Sequence, residues 1–541
     1  MDQKREHKPH CLILPYPSQG HINPLIQFSK RLAHKGITIT FAVPQDVLTS
    51  SSAADISASI AVETISDGYN SAAARADADP REYLVTFKKE GTESTSRLIE
   101  KLREGRGRAV DCVVYDAFLP WGLAVAKSKG LFGAAFFTQA SSVNVVYYNV
   151  FKGLLKVPVT ERETVLPGLP SLAVSDLPSF VVDQEKYPGV LELLVGQFDG
   201  VEDSDFVFVN SVYELEEKAN EWMKKSMSIQ TIGPAIPSIY LDKRIQHDKN
   251  YGLSLFKPDD ICMRWLQQRS PKSVIYVSFG SIAKLEKHEM EELATALKLT
   301  GKHFLWVVRS SEVSKLPENF TDEASGKGLI VSWCSQLEVL AHDAIGCFVT
   351  HCGWNSTLEA LSLGVPMVGV PWWSDQATNA KFVMDVWKMG VRAYPDDGGV
   401  VGHEELVRCV NCVMEGERAE EMRENARKWK ELAKGAVNEG GSSDRNIQQF
   451  VSTLMGVTLV LFQANKWMKK SMSVKTIGPA IPPSMYLDKR LQEDTNYGLS
   501  LFKPDDTCMK WLQQRSPKSA GPSLGPCGLC DRTGPPIFRG L

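Results

Sequence analysis

"WCSQLEVLAHDAIGCFVTHCGWNSTLEALSLGVPMVGVPWWSDQ", Trp333 to Gln376, alternates twice between helix and strand in one short span. "QLEVLAHDA" has helical spacing and "IGCFVTHC" is a short apolar run rich in β-formers. "NSTLEALSLG" is a helix stopped by glycine, and "VPMVGVP" is a second apolar strand. Strands that alternate with helices imply a parallel sheet covered on both faces. The same alternation extends upstream through "SVIYVSFGS", "KHEMEELATALKLTG", "HFLWVVR" and "GLIVSW". A separate series opens the chain: strand "LIL", helix "NPLIQFSKRLAHKG", strand "ITITFAVP", strand "VDCVVYDAF", helix "LPWGLAVAKSKG" and strand "LFGAAFF". In that first helix Asn23 is expected to cap and Pro24 to take the first helical position. Two doubly wound α/β units are therefore predicted. The Pro-, Gly- and charge-rich "TIGPAIPSIYLDKRIQHDKNYGLSLFKPDD" reads as the linker between them. Ligands of such sheets bind beyond the carboxyl ends of the strands, so two facing units would enclose a cleft.

The opening stretch also concentrates polar chemistry. "THCGWNSTLEAL" is a strand end, a tight glycine turn and a helix start, whose N–H groups and positive dipole end attract phosphate. His351, Asn355 and Ser356 add donors there. Trp333 offers a flat face for a base. Glu359 and Asp375 are acceptor-only carboxylates suited to vicinal hydroxyls, and Gln376 can both donate and accept. Each also has an ordinary reading: Ser356 and Glu359 form an S-x-x-E capping box, Trp333 fits a core, and His351 fits a strand end. In the first unit, His21 lies in "PSQGHINP", at the mouth of a strand–loop–helix turn, where a helix N-terminus disfavours imidazolium. Asp116 follows the strand "CVVY". A carboxylate on the second ring nitrogen would fix the tautomer, as in a hydrolase triad.

The order and spacing of residues 333–376 resemble the signature box of the plant UDP-sugar-dependent glycosyltransferases of family 1, a likeness running from about residue 8 to about residue 455. That resemblance implies a GT-B fold of two facing Rossmann-like domains with an interdomain cleft, the C-terminal one holding UDP-glucose. It matches Trp333 to a uracil-stacking residue, and Gln336 and Glu359 to ribose contacts. It matches His351, Asn355, Ser356 and Ser281 to diphosphate contacts, Trp354 to a position at the sugar reached largely through its backbone, and Asp375 and Gln376 to the pair that holds the sugar hydroxyls. His21 and Asp116 match the catalytic dyad. Ser335 departs from the pattern, since many members have proline there. The implied reaction is inverting transfer of glucose to a hydroxyl or carboxyl, giving a β-glucoside or glucose ester. The acceptor is expected to be a small apolar or aromatic molecule. The N-terminal half resembles members acting on small carboxylic acids, with phenolic and terpenoid hydroxyls left open. Phe118, Trp121, Phe137, Tyr147 and Tyr148 are candidates for the acceptor pocket. No cofactor and no metal are expected, because the helix start can carry the charge of a leaving diphosphate.

Composition sets outer bounds. The chain has 541 residues, 43% hydrophobic and 23% charged, with a net charge of -3. That balance offers no electrostatic case for nucleic acid or an anionic membrane. No apolar run approaches the roughly 18 residues of a spanning helix. Eleven scattered cysteines suit a reducing compartment, and Cys409 and Cys412 read as helix core rather than metal ligands. A cytoplasmic monomer is the expectation. The expected division is an acceptor domain over 1–245, a UDP-sugar domain over 246–441 and a helix over 442–456, capped by Ser442 or Ser443, that returns to the first domain. The tail, 457–541, is expected to lack order. It nearly repeats the linker, since "NEWMKKSMSIQTIGPAIPSIYLDKR" (220–244) recurs as "NKWMKKSMSVKTIGPAIPPSMYLDKR" (465–490). Two distant copies of a linker make no repeat architecture. The alternative is a non-catalytic or inactive fusion of two neighbouring glycosyltransferase genes. A Rossmann oxidoreductase is disfavoured, because no G-x-G-x-x-G follows the first strand.

Overall fold

A computed structural model describes residues 8–50, 59–105, 109–183, 185, 189–252, 260–281 and 283–456. The expectation for the tail lies outside the described residues. The first sheet is built from β1 (His10–Leu14), β2 (Thr38–Pro44), β3 (Ile60–Ile65), β4 (Cys112–Asp116) and β5 (Phe132–Phe137). A short antiparallel hairpin follows, β6 (Glu163–Thr164) and β7 (Leu172–Ala173), and then β8 (Phe206–Val209) and β9 (Ile229–Thr231) join the first sheet. Its order is β3-β2-β1-β4-β5-β8-β9, parallel throughout. The second sheet contains β10 (Val274–Ser278), β11 (His303–Val307), β12 (Gly328–Val331), β13 (Ile345–Thr350), β14 (Met367–Gly369) and β15 (Gly390–Arg392). Its order is β12-β11-β10-β13-β14-β15, also parallel.

β1, β4, β5, β10 and β13 are buried along their whole length, as strands covered by helices on both faces must be. Each sheet has one place where the strand order reverses: between β1 and β4, and between β10 and β13. Register sets Leu14 beside Tyr115 in the first and Ser278 beside Thr350 in the second. The loops leaving those strand ends diverge and open a crevice. His21 and Asp116 lie at the mouth of the first crevice, and Ser281 and His351 at the mouth of the second.

Six strands escape the sequence reading: β3, β6, β7, β8, β9 and β15. β6 and β7 are two residues long and β9 and β15 three, too short to show a period. Helix starts also differ from expectation. The first helix begins at Gln19 with Ser18 as its cap, so Pro24 lies inside it. Asn23 does not cap; its side-chain oxygen accepts from the Gln19 amide. A helix spans 442–456, and neither Ser442 nor Ser443 caps it. Ser442 Oγ donates to Glu214 (3.1 Å) and Ser443 Oγ to the Gly233 carbonyl (2.6 Å), fastening this helix to the first sheet's side. Phe450 completes that contact against Phe28, Phe206 and Phe208.

The two sheets are held together by a polar seam. The carboxylate of Asp176 is buried and accepts from Arg392 (2.8 Å), with Lys381 at 3.3 Å. Arg392 also donates to the Ser175 carbonyl, and Thr378 Oγ1 to that of Asp176, both at 2.7 Å. Ser179 and Ser374 exchange two bonds: the Ser374 N–H donates to Ser179 Oγ (2.7 Å) and the Ser179 N–H to the Ser374 carbonyl (3.0 Å). Trp387 Nε1 donates to the Leu215 carbonyl at 3.1 Å. Removing one member of a buried ion pair strands the other charge. Asp176→Ala is therefore expected to lower stability by about 3–5 kcal/mol, read as a fall in the denaturation midpoint by tryptophan fluorescence. An unchanged midpoint would show the seam to be ornamental.

Candidate active site

The first turn of the helix Gln19–His34 delivers His21 to the crevice of the first sheet. Its Nδ1 lies 2.8 Å from Asp116 Oδ2, with Thr138 Oγ1 3.1 Å from the same nitrogen. A carboxylate only accepts, so Nδ1 carries the proton and Nε2 keeps the lone pair. The other oxygen, Asp116 Oδ1, accepts from the Phe118 N–H at 3.0 Å, which restrains the carboxylate from its far side. Asp116 is buried and the imidazole is 14% exposed. Phe118 and Tyr16 flank the ring at centroid distances of 4.6 and 5.3 Å. Tyr83 packs edge-on against Tyr16, with Tyr69 behind it. Burial and the Asp116 charge push the Tyr16 phenol up to about 12, so it remains a neutral hydroxyl.

Across the crevice, β13 runs into the turn His351–Gly353 and then the helix Trp354–Leu363. The imidazole of His351 is wedged between two glycines: a Cβ at Gly280 would approach it to 2.9 Å, and one at Gly353 to 2.5 Å. No larger residue fits at either point without moving the ring. Burial drops the His351 ring to about 4, so it is neutral at physiological pH and presents an uncharged donor. Ser281 is exposed on the turn after β10, its carbonyl held by Arg309 at 2.6 Å.

Gln336, at the start of the helix Gln336–Ala341, donates from Nε2 to Glu359 Oε2 (2.6 Å) and to Ser356 Oγ (2.9 Å). Ser356 thus pairs with Gln336 in place of closing a local capping box. Trp333 is half-buried just past β12. Burial raises the Glu359 carboxyl, while hydrogen bonds from Tyr251 and Gln336 pull it back toward ionisation. Asp375 is raised for the same reason and countered by Asn379. Asn379 Nδ2 bridges Asp375 Oδ2 (2.8 Å) and the Cys352 carbonyl (2.9 Å), tying the loop before residue 376 to the His351 turn.

Three candidate site residues already spend side-chain atoms on protein partners. The indole of Trp354 is buried and donates to the Asn210 carbonyl at 2.7 Å, leaving its backbone as the part that can face a ligand. The side-chain oxygen of Gln376 already accepts from the N–H groups of Trp372 (2.8 Å) and Trp373 (3.1 Å), so its amide nitrogen is the end left for a hydroxyl. Asn355 Nδ2 donates to the Gly20 carbonyl at 2.8 Å, next to His21 in sequence. Pro24 has no N–H, so that carbonyl lacks the helical donor an ordinary residue at 24 would supply. Of the aromatic candidates, Phe118 meets His21. Trp121 packs against Phe87, while Phe137 and Tyr148 gather around Phe198, and Tyr147 is fully buried. Asn379, Thr138, Tyr16 and Tyr251 lie outside the sequence reading; only a "Y", "N" or "T" in otherwise ordinary loops and helices marks them. Cys409 is core, and among the described residues no group of three or more His, Cys, Asp or Glu is placed to hold a metal.

A family model described as UDP-glucoronosyl and UDP-glucosyl transferase matches residues 254–428. UDP-glycosyltransferase 74E2 of Arabidopsis thaliana is 47% identical over 448 residues, 82% of this chain and 98% of that protein. The chain belongs to the plant family 1 UDP-glycosyltransferases. This glycosyltransferase is also 45% identical to mogroside I-E synthase of Siraitia grosvenorii over 449 residues, 82% of this chain and 98% of that one. The structure of Os79 from O. sativa in complex with UDP superposes with a TM-score of 0.77 at 40% identity, covering 82% of this chain and all of that one. The glycosyltransferase therefore has the GT-B architecture and transfers glucose from UDP-glucose to small-molecule acceptors with inversion. Neither the oxidoreductase nor the non-catalytic fusion finds support in these matches. Among the described residues, no helix is long and apolar enough to cross a membrane.

The His351 environment makes a pH prediction. Its folded pKa lies below the unfolded value, so the unfolded chain binds more protons between about pH 6.5 and 4. That contribution is complete above about pH 6.5 and is lost as pH falls through this window. Denaturation at pH 7.5 and 4.5 should differ more for wild type than for His351→Gln, by about 1–3 kcal/mol.

Proposed function

We propose that His21 is the general base and Asp116 its orienting partner, with the turn at His351–Ser356 receiving the diphosphate of the donor. The observation that carries this is the Asn355–Gly20 hydrogen bond. It sets the first turn of the His21 helix against the first turn of the helix Trp354–Leu363. Base and phosphate-seeking helix end therefore share one crevice. An acceptor O–H gives its proton to His21 Nε2 as its oxygen bonds to the anomeric carbon. The bond from that carbon to the diphosphate breaks on the opposite face, and UDP leaves with the electron pair. Asp116 stabilises the imidazolium formed. The N–H groups at the helix start, His351, Ser281 and the Ser356 hydroxyl meet the charge developing on the leaving oxygen. Trp333 stacks on uracil. Gln336 and Glu359 take the ribose diol. The backbone at Trp354, the Asp375 carboxylate and the Gln376 amide hold the glucose.

The aromatic wall of Tyr16, Phe118 and Tyr83 around His21 favours a flat or apolar acceptor. Arg75, the cation that acts on Tyr16, is already paired with Asp67 and Asp46, so an acceptor hydroxyl is favoured over an acid anchored by charge. Among the described residues no two cysteines form a disulfide, which supports a reducing, cytoplasmic compartment. No metal is assigned a role, so turnover is expected to survive chelation with EDTA; a loss restored by magnesium would revise the charge assignment.

His21→Ala should lower kcat for phenol or alcohol acceptors by about 10²–10⁴-fold. A carboxylic acid, already ionised near neutrality, should lose far less. Asp116→Asn should follow His21→Ala in direction. UDP binding by calorimetry should be unchanged in both. Equal losses for acids and alcohols would remove the base assignment, and lack of UDP binding by wild type would remove the whole reading.

A further inference from the structure

We propose that Tyr251, on the segment joining the two sheets, is a positioning residue that sets the Glu359 carboxylate for the ribose of the donor. This rests on the reading that Glu359 meets the ribose. Tyr251 OH donates to Glu359 Oε1 at 2.6 Å, while Gln336 Nε2 donates to Oε2 at 2.6 Å. Gln336 is itself held, its Oε1 accepting from Tyr276 OH at 3.2 Å. Each carboxylate oxygen has two lone pairs, and each has one filled by the protein. One acceptor position per oxygen remains, side by side, which is the pattern that receives two vicinal hydroxyls. Glu359 is 5% exposed, so without these donors its charge would be poorly compensated. Burial lifts the Tyr251 phenol well above its ordinary value, which keeps it a donor at any working pH.

The segment that presents Tyr251 is anchored on the helix that presents His21. Lys30 Nζ donates to Asp248 and to the Asn250 carbonyl, both at 2.7 Å, and Gln27 Nε2 donates to the same carbonyl at 3.1 Å. Asp248 Oδ2 accepts in turn from the Ser238 N–H at 2.7 Å. Lys30 and Asp248 are both buried. A nucleotide contact in the second domain is thereby supported by a side chain whose backbone is fixed to the first.

The experiment compares UDP with 2′-deoxy-UDP by calorimetry on the full chain, as wild type, Tyr251→Phe and Glu359→Gln. Tyr251→Phe should weaken UDP about tenfold and 2′-deoxy-UDP by less than about threefold, so the preference for the ribonucleotide shrinks. KM for UDP-glucose should rise with it, while kcat at saturation holds within about twofold. UDP affinity of Tyr251→Phe should also begin to fall at a higher pH than that of wild type, because the carboxylate has lost a donor to its charged form. Equal weakening of both nucleotides would make Tyr251 merely structural and overturn the proposal. A preserved preference in Tyr251→Phe with a collapsed one in Glu359→Gln would overturn it while leaving the ribose reading intact. An unchanged preference in Glu359→Gln would overturn that reading, and the role of Tyr251 with it.

Discussion

Everything in the cleft depends on the register between two helix starts. The Gly20 carbonyl and the Asn355 amide fix it at one point. The Trp354 indole, donating to Asn210 beyond β8, fixes it at a second. The Ser179–Ser374 exchange fixes it at a third, one residue before Asp375. None of these bonds is strong by itself, since a neutral hydrogen bond contributes about 1 kcal/mol net. Their value is geometric. Each sits within a residue or two of a group that faces the crevice, so the sheets cannot slide without dragging the site apart.

The electrostatic arrangement is economical. A dianionic diphosphate needs positive potential, yet under the proposed assignment it would meet a helix end, N–H groups, hydroxyls and a neutral imidazole. Two raised carboxylates, Glu359 and Asp375, sit close by and are kept serviceable by amide and phenol donors. Oriented dipoles do not need to be desolvated as lysine or arginine would. They also do not hold the departing nucleotide as tightly as a full charge would.

How much of this was legible in the sequence follows from where each signal lives. Helix and strand alternation was readable because apolar runs and glycine stops are local. The clustering of residues 333–376 was readable because one β-turn-α-turn-β unit carries most of the residues proposed for the nucleotide in a single span. What failed to show depends on distant partners. Thr138 reaches His21 from 117 positions away, and Tyr251 reaches Glu359 from 108. Ser442 and Ser443 look like caps to a local reading, but tertiary acceptors on the first domain win their hydroxyls. Gln376 reads as bifunctional until two backbone N–H groups of its own loop claim its oxygen. The start of the first helix was misplaced because proline is commonest at a first turn, whereas here the helix runs through it.

That interior proline has a thermodynamic consequence. In a closed molecule the Gly20 oxygen is satisfied by Asn355; were the halves to part, water could take the vacated position at once, because the oxygen lies at a wet rim rather than in a core. Separation would then strand no backbone group and cost little beyond the exchange of one partner for another. A helix with an alanine at 24 would supply the same oxygen with an internal donor that competes with this docking point. The ring of Pro24 thus turns an ordinary helical carbonyl into a renewable catch, suited to a protein that must release one nucleotide before it can admit the next.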